Sequence, residues 1–288
     1  ALVDTEVEVS NKFLVDAKID KGVMTLVDEP RQRELLQALS SEDLTLLKKC
    51  GGSVCNSVVA ASSLGAKAFF SGKVADDADG ELFVGDLYQA GVDFHSAGQD
   101  PGTTGKCLVM VTEDAERTMN TFLGMCQELH PSDIDAELMQ QARYLYIEGY
   151  LWDTEIQQDA VSQAIGLAKK HGTKVALSLS DPFCAQRHQE AFHRLVREDV
   201  DLLFCNQEEA FALLNTEISQ EALEYLATQV ETVAFTMGPR GALVCEQREM
   251  FYIDPRRVNV VDTTGAGDAF AAGFLYGLTH EKSIFESG

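Results

Sequence analysis

The chain reads as an α/β protein, a mostly parallel sheet covered by helices on both faces, with a small extra β element. Three observations carry that reading. Strand-like and helix-like segments alternate along most of the 288 residues, the pattern of parallel strands joined by crossover helices. No internal repeat or low-complexity linker interrupts them. Near the end, a glycine-rich turn opens a small, apolar helix from Ala269 to Leu278, as expected where a helix packs on a sheet.

Strand candidates are 67–74, 144–148, 174–178, 202–205, 233–237 and 242–245. They are short and rich in the β-branched, aromatic and aliphatic residues that suit a buried strand. Helix candidates lie between them at 56–64, 80–90, 154–171, 186–197, 208–214 and 220–229. Two stretches depart from the alternation. Segments 2–9 and 22–28 read as short strands, and 103–112 with 117–122 as a hairpin turned at Glu113, Asp114 and Ala115. Their hydrophobicity alternates weakly, which predicts one solvated face. Segments 40–50 and 248–259 receive no element.

Composition excludes several classes. Twenty-three basic against 46 acidic residues give a net charge of −23. Such a surface repels nucleic-acid backbones and anionic membranes. No apolar run reaches the ~18 residues of a membrane helix. The seven cysteines are scattered, odd in number and never spaced C-x-x-C, which predicts reduced thiols in a cytoplasmic protein. The six histidines form no ligand cluster.

The most informative string is D-T-T-G-A-G-D-A-F-A-A-G-F at 262–274. Gly265 and Gly267 let the backbone turn and approach a ligand closely. The helix they open presents bare N–H groups, an anion site by dipole and by hydrogen bonding. Asp268, in that first turn, is the acid beside the anion. A glycine turn before a core helix, with Asp268 as a dipole partner, would explain a bare G-x-G-D equally well. No G-x-x-x-x-G-K-[ST] loop exists, and Phe270 stands where a Rossmann fingerprint needs its third glycine. Four further strings stand out. Gly51 and Gly52 precede Asn56 in G-G-S-V-C-N, Asn206 and Glu209 end an N-x-x-E, Thr236, Gly238 and Gly241 form T-x-G-x-x-G, and Asp4 closes a short apolar start. Taken singly they are a tight turn with a cap, a capping box, a hairpin and a solvated acid.

Together, in this order, the strings resemble the signatures of the ribokinase-like (PfkB-type) carbohydrate and nucleoside kinases. The resemblance covers nearly the whole chain and implies one three-layer α/β/α domain over 1–288, with a β lid built from about 2–28 and 102–123. It implies ATP-dependent transfer of the γ-phosphoryl group to a primary hydroxyl of a sugar or nucleoside. Asp268 is then the base, and the amides of Gly265, Ala266 and Gly267 are the anion hole. Asp4, Gly51, Gly52 and Asn56 hold the acceptor. Asn206, Thr236, Gly238, Gly241 and Thr264 line the nucleotide. Glu209 organises Mg²⁺ through water, which suits a cation that keeps most of its hydration, and the family admits a monovalent cation as well. Arg117, on the expected hairpin, is a candidate bridge to the transferred phosphate by its fork geometry, or a solvated strand arginine.

The strings Y-I-E-G-Y at 146–150, L-S-L-S-D-P-F at 177–183 and F-C-N at 204–206 look most like the adenosine-kinase branch. There an aromatic after the glycine stacks on the substrate base, the place of Tyr150. The competing expectations are a kinase of a free sugar such as fructose or 2-keto-3-deoxygluconate, and a non-catalytic sugar- or nucleotide-binding regulator. A homodimer through an exposed lid face is an outcome that alternation alone does not decide. In the resembled family more helix follows the motif helix and closes the adenine side; the expectation here is either that further residues complete the nucleotide site or that the site is open on that side.

Overall fold

The computed structural model describes residues 1–40, 44–95, 100–259, 263 and 265–288. Its strands are β1 (Leu2–Glu8), β2 (Met24–Leu26), β3 (Leu47–Gly51), β4 (Ala68–Ser71), β5 (Val92–His95), β6 (Gly105–Val111), β7 (Arg117–Phe122), β8 (Tyr144–Glu148), β9 (Lys174–Ser178), β10 (Leu202–Asn206), β11 (Thr232–Thr236), β12 (Ala242–Glu246) and β13 (Glu249–Ile253). The helices are α1 (Asn11–Asp16), α2 (Glu29–Ser40), α3 (Ser53–Ser63), α4 (Ala78–Gln89), α5 (Ala136–Gln141), α6 (Glu155–His171), α7 (Pro182–Arg187), α8 (Gln189–Glu198), α9 (Gln207–Leu214), α10 (Ser219–Gln229), α11 (Ala266–Thr279) and α12 (Ile284–Ser287).

A six-stranded sheet in the order β13-β12-β11-β10-β9-β8 forms the main layer. Its β8–β11 ladders are parallel, and β12 and β13 return antiparallel. Strands β10 and β11 are buried almost end to end, as strands covered on both faces must be. One face packs on helices through Val161, Ile165, Phe192, Leu213 and Leu223. The other receives α11, whose Ala271 and Phe274 join Phe204 and Val244. Phe274 meets Phe204 edge-on with centroids 5.7 Å apart, a favoured aromatic geometry. Helix α6 shows why these segments end where they do. Thr154 caps its start by accepting from Gln157 N–H, Gly172 closes it in the left-handed region, and Lys169, Lys170 and His171 complement the carboxyl end.

A five-stranded sheet, β2-β7-β6-β1-β3, collects the segments expected to form the β element and adds β3. Strand β1 alternates cleanly: Val3, Thr5 and Val7 are buried, while Asp4 and Glu6 are on the opposite face. The weak alternation predicts one solvated face, and on the Asp4 side Glu6 and Lys49 do stay partly exposed; β6 is the exception, buried on both of its faces. Helices α1 and α2 cover the sheet through Phe13, Leu14, Leu35 and Leu39, which pack with Val7, Leu108 and Met110. Accordingly β6 is mostly buried.

Three further expectations change. Segment 67–74 shortens to β4, which pairs in parallel with β5 rather than joining the six-stranded order. Helix 186–197 divides into α7 and α8 at His188, whose φ of −113° and ψ of 24° leave helical geometry. Helix 56–64 begins three residues earlier, at Ser53, because Gly52 at φ 100° turns the chain directly into it.

Candidate active site

The ends of four adjacent strands define the site. Strands β8, β9, β10 and β11 finish at Glu148, Ser178, Asn206 and Thr236, the carboxyl edge at which open α/β sheets bind ligands. Helix α11 presents its amino end to the same edge. A cavity of about 90 Å³ is lined there by Ser53, Asn206, Glu209, Thr236, Gly267 and Asp268, with others.

Gly265 is the N-cap of α11 at φ 71° and ψ 8°, a left-handed conformation that favours glycine. No atom lies within 4 Å of a Cβ built on Gly267, so a ligand can approach the backbone. Ala266 N–H donates to the Thr263 carbonyl at 3.1 Å. Thr264 and Asp262 lie outside the described residues.

Asp268 is gripped from α3. Asn56 Nδ2 donates to Oδ2 at 3.0 Å, and Ser53 Oγ donates to Oδ1 at 2.7 Å. The G-G-S-V-C-N string and the G-A-G-D string therefore meet on one carboxylate. Asn56, expected on acceptor hydroxyls, holds the acid itself here. Behind it, Ser57 Oγ donates to the Ser53 carbonyl at 3.1 Å. Tyr146 hydrogen-bonds Ser57 and Ser178, and burial, then Asp268, push its phenol up.

Asp4 enters from the five-stranded sheet. A Cβ on Gly51 would overlap its carboxylate, so only glycine lets that acid lie over the turn. Across the ladder Asp4 faces Lys49. Burial nevertheless pushes its carboxyl up to about 6, Lys49 and Arg117 opposing and Glu6 and Asp268 assisting. Arg117 Nη2 pairs with Glu6 at 3.9 Å, and Lys49 with the same carboxylate at 3.8 Å.

Asn206 and Glu209 form a reciprocal capping box at the start of α9. Glu209 N–H donates to Asn206 Oδ1 at 2.9 Å, and Asn206 N–H to Glu209 Oε2 at 3.0 Å. Glu209 is only 7 % exposed, and burial pushes its carboxyl up to about 7. Among the described residues no cluster of three or more His, Cys, Asp or Glu side chains could hold a metal. The donors facing the cavity are oxygen-rich, however, and fit a hydrated Mg²⁺ carried in with phosphates. Gly238 (φ 56°) and Gly241 (φ 80°) shape the turn between β11 and β12, closed by Met237 N–H donating to the Gly241 carbonyl at 2.8 Å.

Tyr150 does not line the cavity. It packs against the core beneath α6 and α7 and hydrogen-bonds Asp181, with burial as the main cause of its raised phenol. The sequence reading gave Ser53 and Glu148 no role. Glu148 Oε2 accepts Val54 N–H at 3.1 Å, and burial, with Asp268 assisting, raises its carboxyl. Its signal was positional, an acid at the carboxyl end of a parallel strand.

A glycine-opened helix carrying an acid, facing sheet-edge polar groups and an acidic grip from a second sheet, defines a small-molecule phosphotransferase. The chain belongs to the pfkB family of carbohydrate kinases, which matches residues 18–288. It is an enzyme that transfers a phosphoryl group to an alcohol acceptor, a sugar kinase in the broad sense of that family. The chain is similar to the crystal structure of adenosine kinase from Sinorhizobium meliloti, with 39% identity, a TM-score of 0.91, and coverage of 100% of this chain and 88% of that one. A structure described as a probable sugar kinase from Rhizobium etli CFN 42 is 38% identical, with a TM-score of 0.92 and coverage of 100% and 87%. Among curated proteins, 5-dehydro-2-deoxygluconokinase of Geobacillus kaustophilus (strain HTA426) is 28% identical, over 84% of this chain and 76% of its own length. No helix among the described residues is long and apolar enough to cross a membrane.

Proposed function

We propose that the chain phosphorylates a primary hydroxyl of a ribonucleoside, adenosine or a close relative, at the expense of ATP. The observation that carries this reading is the convergence of Asn56 and Ser53 on Asp268, with Asp4 over Gly51 beside them. It joins an acceptor grip to a base at a helix amino end. In the reaction Asp268 takes the hydroxyl proton as the oxygen attacks the γ-phosphorus. The amides of Gly265 and Gly267 and the α11 dipole stabilise the charge on the transferring oxygens, whereas the Ala266 N–H, expected to join them, is taken by the Thr263 carbonyl. Asp4, Gly51, Gly52 and Asn56 orient the acceptor, and Thr236, Gly238, Gly241 and Asn206 lie along the nucleotide. Mg²⁺, organised through water near Glu209, supplies neutralisation of phosphate charge when bound. The sheet segments 2–28 and 102–123 act as a lid that excludes water from the transfer. Oligomeric assembly is not needed for any of these roles.

Two facts favour a neutral acceptor. The adenosine kinase relative matches the full chain at 39% identity. The acceptor side also gathers the carboxyl groups of Asp4, Glu148 and Asp268, with Asp268 acting through space on each of the other two, which disfavours an anionic sugar acid. The curated relatives favour a second reading, a keto-deoxy sugar acid as acceptor.

Coupled ADP release separates the two across adenosine, other ribonucleosides, fructose, 2-keto-3-deoxygluconate and 5-dehydro-2-deoxygluconate. Adenosine is expected to give the highest kcat/KM, and a sugar acid exceeding it would replace the first reading. In Asp268→Asn, turnover should fall ~10²–10⁴-fold, the range of a lost general base, with the thermal midpoint retained. Retained turnover would sink the assignment of the base, and silence across the panel would favour a binding protein.

A further inference from the structure

Asp268 has a hydroxyl partner before any acceptor arrives. Ser53 Oγ donates to Oδ1 at 2.7 Å, and Asn56 Nδ2 orients the carboxylate through Oδ2 at 3.0 Å. A serine within hydrogen-bond reach of a base that a third group orients is the arrangement that activates a nucleophile. The serine is held in place. It is the first residue of α3, directly after the turn at Gly52, and its carbonyl accepts from Ser57 Oγ at 3.1 Å. It also lines the same cavity as Gly267 and Asp268. A hydroxyl that gives its proton to Asp268 from within that cavity stands close to the place an acceptor hydroxyl must take.

We propose that Ser53 is a second, internal acceptor: with ATP bound and no external acceptor present, the γ-phosphoryl group passes to Ser53 Oγ. The inference rests on the reading of Asp268 as the base. The Ser53 O–H bond breaks and its proton goes to Asp268. A bond forms between Oγ and the γ-phosphorus while the bond from that phosphorus to the β,γ-bridging oxygen breaks. The products are phosphoserine, ADP and a proton released to solvent, with no change of oxidation state. The new phosphate fills the acceptor's place, so the modified chain is inactive and an external acceptor protects it.

The test incubates the full chain with ATP and Mg²⁺ alone, followed by digestion and mass spectrometry. The expected result is one added HPO₃ on the peptide containing Ser53. It is lost in Ser53→Ala and Asp268→Asn, kept in Ser53→Thr, and suppressed by saturating adenosine. Acceptor turnover should fall in proportion to the label, and thermal unfolding checks that each variant is folded. No label at Ser53, label that survives Asp268→Asn, or label indifferent to the acceptor overturns the inference. Turnover of adenosine by the untreated chain is read in parallel. Turnover without label leaves the proposed function standing, whereas its absence across the panel removes that function on separate grounds.

Discussion

The Asp4 carboxyl lies opposite Lys49, yet burial outweighs the pairing and lifts it to about 6. The unfolded value is near 3.9, so between about pH 4 and 6 the folded chain holds a proton that the unfolded chain has lost. The associated stabilisation is complete below about pH 4 and disappears as pH rises through 6. Two pKa units correspond to about 3 kcal/mol at this buried site. Asp4→Asn is therefore expected to raise the thermal midpoint at pH 8 and to leave it nearly unchanged at pH 4. Acceptor affinity should move oppositely, because an ionised carboxylate is the better partner for hydroxyls. Wild-type affinity is expected to drop below pH 6. In Asp4→Asn that step should vanish and affinity at pH 8 should fall ~10-fold or more, the scale of a charged hydrogen bond. Titration calorimetry at the two pH values checks both; a pH step that persists in the variant would assign the titration to another group.

The Asn206–Glu209 pair shows how one local device serves two ends. As a capping box it satisfies amides at the start of α9, and it turns a buried carboxyl toward the cavity. Glutamine keeps an oxygen for one of the two Asn206 donors, the backbone N–H or Nδ2, and removes the cost of a buried charge, so Glu209→Gln should shift the thermal midpoint little. The Mg²⁺ concentration for half-maximal rate should rise roughly 10-fold, as when an outer partner of a metal is lost. An unchanged Mg²⁺ requirement would return Glu209 to capping alone. Elements were legible in sequence wherever burial was uniform. Strands 144–148 and 174–178 carry the bounds expected of them, because apolar runs meet polar flanks at both ends. Helix α2 was not legible: only Gln32, Leu35 and Leu39 are buried, too sparse an apolar stripe in a charged segment to declare itself. Strand β13 is mostly exposed or half-buried and lacks the same signal.

Across the whole molecule, charge and topology dominate. A net charge of −23 opposes the approach of a polyanionic nucleotide, and salt screens that field. Association-limited kcat/KM for Mg²⁺–ATP is expected to rise a few-fold between about 0.01 and 0.15 M ionic strength. A fall instead would show that local cations set the encounter. The reaction type was legible only through the resemblance that the strings at 51–56, 206–209, 236–241 and 262–274 carry together, since the glycines and the following acid taken alone fit a capped core helix equally well. It did not announce that Ser53 and Asn56 would seize Asp268, because that contact depends on how α3 and α11 are packed, which no local pattern encodes. The Asn56–Asp268 bond spans 212 residues of chain. Contacts so distant in sequence carry a large loop-closure cost and tend to form late. A chain emerging in order from synthesis can complete its sheet edge and its acceptor turn while the acid that must act on them is still absent. Competence then arrives in a single event, when the last motif helix docks on the third, so partly made chains bind at most and do not turn over.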